Sequence, residues 1–138
     1  MKKLHKKNST KIGILGGTFD PPHEGHLHIS KVALKKLRLN KLIWAVTKKN
    51  PLKAKPYLNI KKRINLSKKI TNNEKKIFVN CFDKKINSAN TFNLLNFIKK
   101  NNNKSKLFFL VGADNLKKFH KWNNWKKIPR LAKIAVFA

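Results

Sequence analysis

The chain has 138 residues, of which 41% are hydrophobic, a length and composition typical of one folded domain and not of two domains or a disordered chain. Lysine and arginine number 34 against 5 acidic residues, so the formal net charge is +29, and such a surface attracts anionic ligands. Only Arg38, Arg63 and Arg130 are arginines, and the lysines are scattered along the chain. Proteins that read nucleic acids use arginine forks as well as lysines, so we interpret most of this charge as compositional background.

Cysteine content and the lengths of the apolar runs exclude two further classes. Cys81 is the only cysteine, so no intramolecular disulfide can form, which fits a reducing compartment and predicts a cytoplasmic protein. Apolar runs reach about five residues, whereas a membrane-spanning helix needs about 20. Residues 1–10 are basic and lack the apolar core of a signal peptide. We therefore expect a flexible basic tail over 1–10 and one domain over 11–138.

Five short apolar runs predict strands, and their continuous character is typical of strands covered on both faces. They occupy residues 12–15, 42–46, 77–79, 107–111 and 134–137. Apolar residues at helical spacing predict helices over 29–37 and 91–98, the second capped by Ser88. A weaker helix is expected over 60–70, and short helical turns over 114–128.

This alternation of strands and helices allows about 30 residues for each strand–helix–strand unit, as parallel crossovers require. It predicts an α/β fold, a Rossmann-like parallel sheet of five strands with helices on both faces and the first strand near the centre. Ligands of such sheets bind beyond the carboxyl ends of the strands. Functional residues are therefore expected in the loops that follow the strands.

The loop after the first predicted strand is the most distinctive segment of the chain, and it reads GGTFDPPHEGH over residues 16–26. Gly16 and Gly17 are expected to provide a sharp turn and to let the backbone approach a ligand closely. The helix that follows offers free N–H groups and a positive dipole end to an anion. His23 and His26 are expected to face the same place and to donate hydrogen bonds to phosphate oxygens.

Other interpretations of residues 16–26 fit less well. The loop has neither the Lys-Ser/Thr pair of a Walker A loop nor the spacing of GxGxxG. His23, His26 and His28 lie close together, but no cluster of carboxylates or thiolates accompanies them, so no metal site is predicted. Histidines on a solvated helix start are the structural alternative.

Residues 17–26 resemble the signature of the HxGH nucleotidyltransferases, and the Phe-Asp-Pro variant looks most like that of the nicotinate-nucleotide adenylyltransferases. Three further segments are similar to that family: TKKNPLK over 47–53, SANTF over 88–92, and GADNL over 112–116 followed by FHKW over 119–122. The resemblance covers residues 11–138. It implies adenylyl transfer from ATP to nicotinate mononucleotide in NAD biosynthesis, with Mg²⁺ accompanying ATP as the cofactor.

The resemblance also implies a role for each matching residue. The catalytic residues would be His23 and His26. The residues that bind ATP would be Gly16, Gly17, Thr18, Phe19, His23, His26, Gly112 and Asp114. Nicotinate mononucleotide would be bound by Lys53, Ser88 and Trp122.

Several of these residues have structural alternatives. Trp122 would stack on the pyridine ring, but it could instead pack in a pair with Trp125. Asp114 could cap a helix, as could Ser88. Asp20 could fix the loop through bonds to nearby backbone N–H groups.

One part of the family pattern is missing from the sequence. No segment matches the second phosphate-binding motif, of the Ile-Ser-Ser-Thr-x-Ile-Arg type, that family members carry after the fifth strand. Weak nucleotide binding and slow or absent turnover are therefore expected of the 138 residues. The apolar fifth strand, as a sheet edge, also allows self-association.

Three alternative functions stay open at this point. One is a sister enzyme that adenylylates nicotinamide mononucleotide, with phosphopantetheine less favoured because of the Trp122 segment. Another is an inactive nucleotide-binding remnant. The third is a basic nucleic-acid-binding domain, which would bind with a steep salt dependence and show no turnover.

Overall fold

The computed structural model of the chain describes residues 9–49 and 54–138. Strands and helices alternate along it. The strands are β1 (Lys11–Gly17), β2 (Lys41–Val46), β3 (Ile77–Asn80), β4 (Lys106–Gly112) and β5 (Lys133–Phe137). The helices are α1 (Glu24–Lys36), α2 (Ile60–Ile70), α3 (Asp83–Ile86), α4 (Thr91–Asn101), α5 (Ala113–Leu116) and α6 (Ile128–Leu131). Single 3₁₀ turns at Phe119–Lys121 and Trp125–Lys127 complete the predicted short helical stretch.

The five strands form one parallel sheet in the order β3-β2-β1-β4-β5. The first strand lies at the centre, so the predicted Rossmann-like α/β fold is confirmed. Because all the strands point the same way, the loops that follow β1, β2 and β4 meet at one edge of the sheet. No helix within the described ranges is long and apolar enough to cross a membrane.

Both faces of the sheet are buried, because alternate residues of a strand belong to two separate cores. On one face Ile14 of β1 shares a core with Leu95 of α4, and on the other Trp44 of β2 shares a core with Ala33 of α1. All four side chains are fully buried. Burying a side chain of Leu or Ile size contributes about 1.5–3 kcal/mol, so the continuous apolar runs are what a sheet covered on both sides requires.

The cap of α4 differs from the prediction, whereas the predicted helix start at residue 91 agrees with the structure. Asn90 is its N-cap and accepts the N–H of Asn93 at 2.8 Å. Ser88 instead accepts hydrogen bonds from the N–H of Asn90 at 3.1 Å and from the side-chain amide of Asn93 at 2.9 Å. A cap must reach the second or third N–H of the helix, and Ser88 lies two residues too early to do so. The prediction that Ser88 caps this helix is therefore wrong.

Candidate functional site

The loop between β1 and α1 turns at Phe19 and not at the glycines. Gly16 and Gly17 continue the strand, and neither has a positive φ. Phe19 has a φ of 51° while its side chain is 2% exposed. That conformation costs a bulky residue about 1–3 kcal/mol, and the buried contacts of the ring hold it in place. The predicted glycine turn is wrong, and the two glycines instead leave the end of β1 as bare backbone.

Four aromatic rings stack from the core to the surface at this loop. The ring centroids of Trp44 and Phe19 are 4.8 Å apart, those of Phe19 and His26 4.6 Å, and those of His26 and His23 3.9 Å. The indole N–H of Trp44 donates to Ser30 Oγ at 2.8 Å, and this hydroxyl donates to the carbonyl of His26 at 2.8 Å. The two imidazoles therefore rest on a rigid, buried base.

Hydrogen bonds at the start of α1 orient both imidazoles. His23 is the N-cap, and its Nδ1 accepts the N–H of Gly25 at 3.0 Å. His26 Nδ1 accepts the N–H of His23 at 3.1 Å, which completes a reciprocal capping box. Because each Nδ1 is an acceptor, a neutral ring must carry its proton on Nε2. Within the described residues neither Nε2–H has a partner, so both can donate to a ligand oxygen.

The charge state of His26 follows from its burial. Burial, and to a smaller extent the neighbouring His23, lower the pKa of His26 from 6.5 to about 4. At neutral pH His26 is therefore an uncharged hydrogen-bond donor. The Nε2–H groups of His23 and His26, beside the free N–H groups and dipole of a helix start, can bind an anionic oxygen and stabilise charge that develops on it. The predicted convergence of His23 and His26 is confirmed.

Gly25 has a steric reason to lie between the histidines. A Cβ at this position would be 2.8 Å from both Cε1 and Nδ1 of His23. Real Cβ atoms do not approach other heavy atoms so closely, so any side chain here would displace the imidazole.

Asp20 fixes the loop, but its partners are distant in sequence. Its carboxylate accepts the backbone N–H groups of Tyr57 and Leu58, the latter at 2.7 Å. These residues are 37 and 38 positions away. The expectation that Asp20 bonds to backbone N–H groups is confirmed, whereas the expectation that these groups are nearby is wrong.

Arg63 of α2 is a site residue that the sequence reasoning missed. Its side chain is 2% exposed, and among the described residues it bonds only to backbone carbonyls of the surrounding loops. These carbonyls belong to Thr18, Thr47, Lys48 and Leu58. One signal was available, because a rare arginine in a lysine-rich chain marks a place where a planar, multiply bonding cation is needed.

An open cavity of about 700 Å³ adjoins the same loops. Its lining includes Lys48, Lys49 and Lys55, together with Tyr57 and Arg63. Tyr57 is 93% exposed, so its ring is available for contact. Three ammonium groups around a cavity favour an anionic ligand. Lys53, for which the resemblance implies a role in binding nicotinate mononucleotide, lies outside the described residues.

Gly112 and Asp114 lie at the end of β4, next to β1. Leu15 pairs with Leu110, so Gly17 and Gly112, each two residues further on, end side by side. Asp114 is exposed in the first turn of α5, whose N-cap is Gly112, and makes no capping bond. The alternative that Asp114 caps a helix is therefore wrong.

Trp122 packs partly into the core. Its ring centroid is 5.8 Å from that of Phe109 and 5.2 Å from that of Phe119. It remains partly exposed. In the described part of the chain, the structure brings neither Trp122 nor Ser88 into ring or hydrogen-bond contact with the two histidines.

Comparisons of the sequence and of the fold with known proteins agree with one another. A family model described as cytidylyltransferase-like matches residues 14–138. A probable nicotinate-nucleotide adenylyltransferase from Pelagibacter ubique is 47% identical over 131 residues, which cover 95% of this chain and 72% of that protein. Another, from Ruegeria sp., is 38% identical over 127 residues, covering 92% and 67%. Nicotinic acid mononucleotide adenylyltransferase of Plasmodium falciparum, solved with NaAD, shares the fold with a TM-score of 0.78 at 20% identity, covering 92% of this chain and 63% of that chain.

Proposed function

Because the chain belongs to the nicotinate-nucleotide adenylyltransferase family of nucleotidyltransferases, we propose that it transfers the adenylyl group of ATP to nicotinate mononucleotide in NAD biosynthesis. The products are deamido-NAD and pyrophosphate. One observation carries the proposal: the start of α1 presents two Nε2–H donors whose rings are fixed by reciprocal hydrogen bonds.

The chemistry requires little of the protein beyond positioning and stabilisation of charge. An oxygen of the acceptor 5′-phosphate attacks the α-phosphorus of ATP, and the bond to the bridging oxygen breaks, so pyrophosphate leaves with the electron pair. The acceptor is already an anion, so no protein nucleophile is needed. His23 and His26 donate hydrogen bonds to the oxygens on which negative charge grows, and the helix start adds its dipole.

We propose that ATP binds against the carboxyl ends of β1 and β4, where the backbone is partly exposed. Gly16, Gly17 and Thr18 contribute backbone there. The ring of Phe19 is buried in the core, so this residue acts through its main chain and as a support for His26. Gly112 and Asp114 border the same edge beside them, on the side proposed for the ribose.

The lysine-lined cavity is proposed to receive the phosphate of nicotinate mononucleotide. Its support is the charge of Lys48, Lys49 and Lys55 and its position against the loop that carries the histidines. Lys53 is proposed to add a further ammonium group there. Trp122 and Ser88 are proposed to hold the pyridine end, and the partial exposure of the indole leaves it surface for stacking.

Mg²⁺ is proposed to accompany ATP. The described residues contain no group of three or more His, Cys, Asp or Glu side chains that could hold a metal ion. That donor set fits an ion held mainly by phosphate oxygens and water, with the exposed carboxylate of Asp114 as the protein group beside it. When bound, the ion neutralises part of the triphosphate charge. We propose that the reaction takes place in the cytoplasm, a reducing compartment that suits a chain with a single cysteine.

The test is pyrophosphate release from ATP, Mg²⁺ and nicotinate mononucleotide, with nicotinamide mononucleotide as the comparison acceptor. In His23→Asn and His26→Asn the amide oxygen replaces Nδ1 as the capping acceptor, but the shorter side chain leaves no donor at the position of Nε2–H. Each variant should lose about 10²–10³ in kcat. His28→Asn, at an exposed position of the same helix, is the matched control. Parent-like turnover in both site variants would remove the basis of the proposal.

A further inference from the structure

The segment that leads into α2 is held by two charged side chains from different parts of the chain. Asp20, in the loop after β1, accepts the N–H groups of Tyr57 and Leu58. Arg63, on α2, donates from Nε to the carbonyl of Leu58 at 2.9 Å. The N–H of Leu58 is therefore bonded to Asp20, and its carbonyl is bonded to Arg63.

Arg63 extends this attachment to the two loops at the carboxyl edge of the sheet. Its Nη1 donates to the carbonyls of Thr18 at 2.7 Å and Thr47 at 2.6 Å, and its Nη2 donates to that of Lys48 at 2.9 Å. A guanidinium has five donors in a rigid plane and can reach all four carbonyls, whereas an ammonium has three donors on one atom. The loop after β1, the loop after β2 and the approach to α2 thus form one unit.

The burial of Arg63 indicates that this residue positions the surrounding loops more than it stabilises the fold. Burial lowers the pKa of this guanidinium, and Asp20 opposes that effect. Burying a charge carries a large desolvation cost, and well-packed apolar residues often stabilise a fold equally well. Apolar residues have no hydrogen-bond donors, however, so they could not fix the positions of the four carbonyls that Arg63 binds.

Building on the proposed function, we infer that Asp20 and Arg63 are positioning residues for the acceptor nucleotide. Together they hold the wall of the lysine-lined cavity, which includes Lys48 and Tyr57, at a fixed distance from His23. The acceptor phosphate bound there then approaches the α-phosphorus of ATP from a constant direction. Neither residue takes part in the bonds that form and break.

The experiment compares Asp20→Asn and Arg63→Lys with the parent chain. Asp20→Asn keeps one acceptor oxygen and turns the other group into a donor that faces an N–H. Arg63→Lys keeps the charge but cannot span the four carbonyls. Glu74→Gln and Arg130→Lys, at an acid paired with Lys31 and at an exposed arginine, are the matched controls.

Three readouts are used: kcat/KM for nicotinate mononucleotide, the Kd values of both nucleotides by direct titration, and amide hydrogen exchange at Tyr57 and Leu58. We expect kcat/KM for the acceptor to fall about tenfold or more in both variants, as a small misplacement of a reactant does. The Kd of ATP should stay within about twofold, and the two amides should exchange about tenfold faster in Asp20→Asn.

Equal weakening of ATP and acceptor would overturn the inference, because Asp20 and Arg63 would then support the whole site and not the acceptor wall in particular. Unchanged amide exchange in Asp20→Asn would overturn it as well. If the parent releases no pyrophosphate, the proposed function fails by itself. In that case amide exchange and the Kd of nicotinate mononucleotide still decide whether the two residues hold the acceptor wall.

Discussion

Gly25→Ala should separate activity from stability at the start of α1. The new Cβ would lie 2.8 Å from Cε1 and Nδ1 of His23, whereas carbon atoms pack at about 3.5–4.0 Å. The imidazole must therefore retreat by about 0.7–1.2 Å, which breaks its 3.0 Å bond to the N–H of residue 25 and moves the Nε2–H donor. A displacement of about 1 Å in a positioned group costs about 10²-fold in rate.

Stability should change little in the same variant. Alanine is favoured over glycine in a helix by about 0.5–1 kcal/mol, and the lost hydrogen bond costs about 0.5–1.5 kcal/mol, so the two effects nearly cancel. Pyrophosphate release and the urea midpoint, measured on one preparation, check both expectations. Lys35→Ala, at an exposed position in the last turn of α1, is the control for a substitution in the same helix that does not touch His23. A folded Gly25→Ala variant with kcat/KM within about threefold of the parent would refute the steric argument.

Three further perturbations test other features of the structure. Lowering the pH from 6.5 to 4 should lower the free energy of unfolding by about 1–2 kcal/mol. In this pH range His26 takes up a proton in the unfolded chain but not in the folded chain, where its pKa is about 4. His26→Asn should reduce this pH dependence of the free energy of unfolding in urea titrations. Asn90→Ala should lower the free energy of unfolding by about 1 kcal/mol and Ser88→Ala by less, as thermal melts will show; the reverse order would restore Ser88 as the cap. Trp122→Ala should weaken nicotinate mononucleotide more than ATP in separate titrations, and equal losses with a lower Tm would make Trp122 a core residue only.

The fold could be predicted because its signals are local. Continuous apolar runs and helical spacing are properties of neighbouring residues, and parallel crossovers of ordinary length leave few topologies. The convergence of His23 and His26 is local as well, since residues three apart at a helix start lie on one side. Ser88 shows where the cap prediction failed even though the predicted helix start at residue 91 agrees with α4. The residue directly before that start, Asn90, is the cap, and Ser88 bonds to Asn90 and Asn93 instead.

Long-range contacts account for what the sequence did not reveal. The residues next to Asp20 in the sequence do not indicate that it bonds to Tyr57 and Leu58. The residues next to Arg63 likewise do not indicate which four carbonyls it binds. The turn at Phe19 was not predicted for a similar reason. A left-handed phenylalanine is unfavourable by itself and becomes acceptable only when a partner such as Trp44, from another strand, encloses its ring.

The two imidazoles that face the ligand also close the amino end of α1, so fraying of that helix and loss of the binding groups are a single event. Local opening of the first turn therefore lowers the population of binding-competent molecules directly. By mass action, an anion that binds only the closed form must protect the first turn of α1 from opening, by RT ln(1 + [L]/Kd). Amide exchange at Gly25 and His26 thus reports on ligand occupancy even in a variant that has lost turnover.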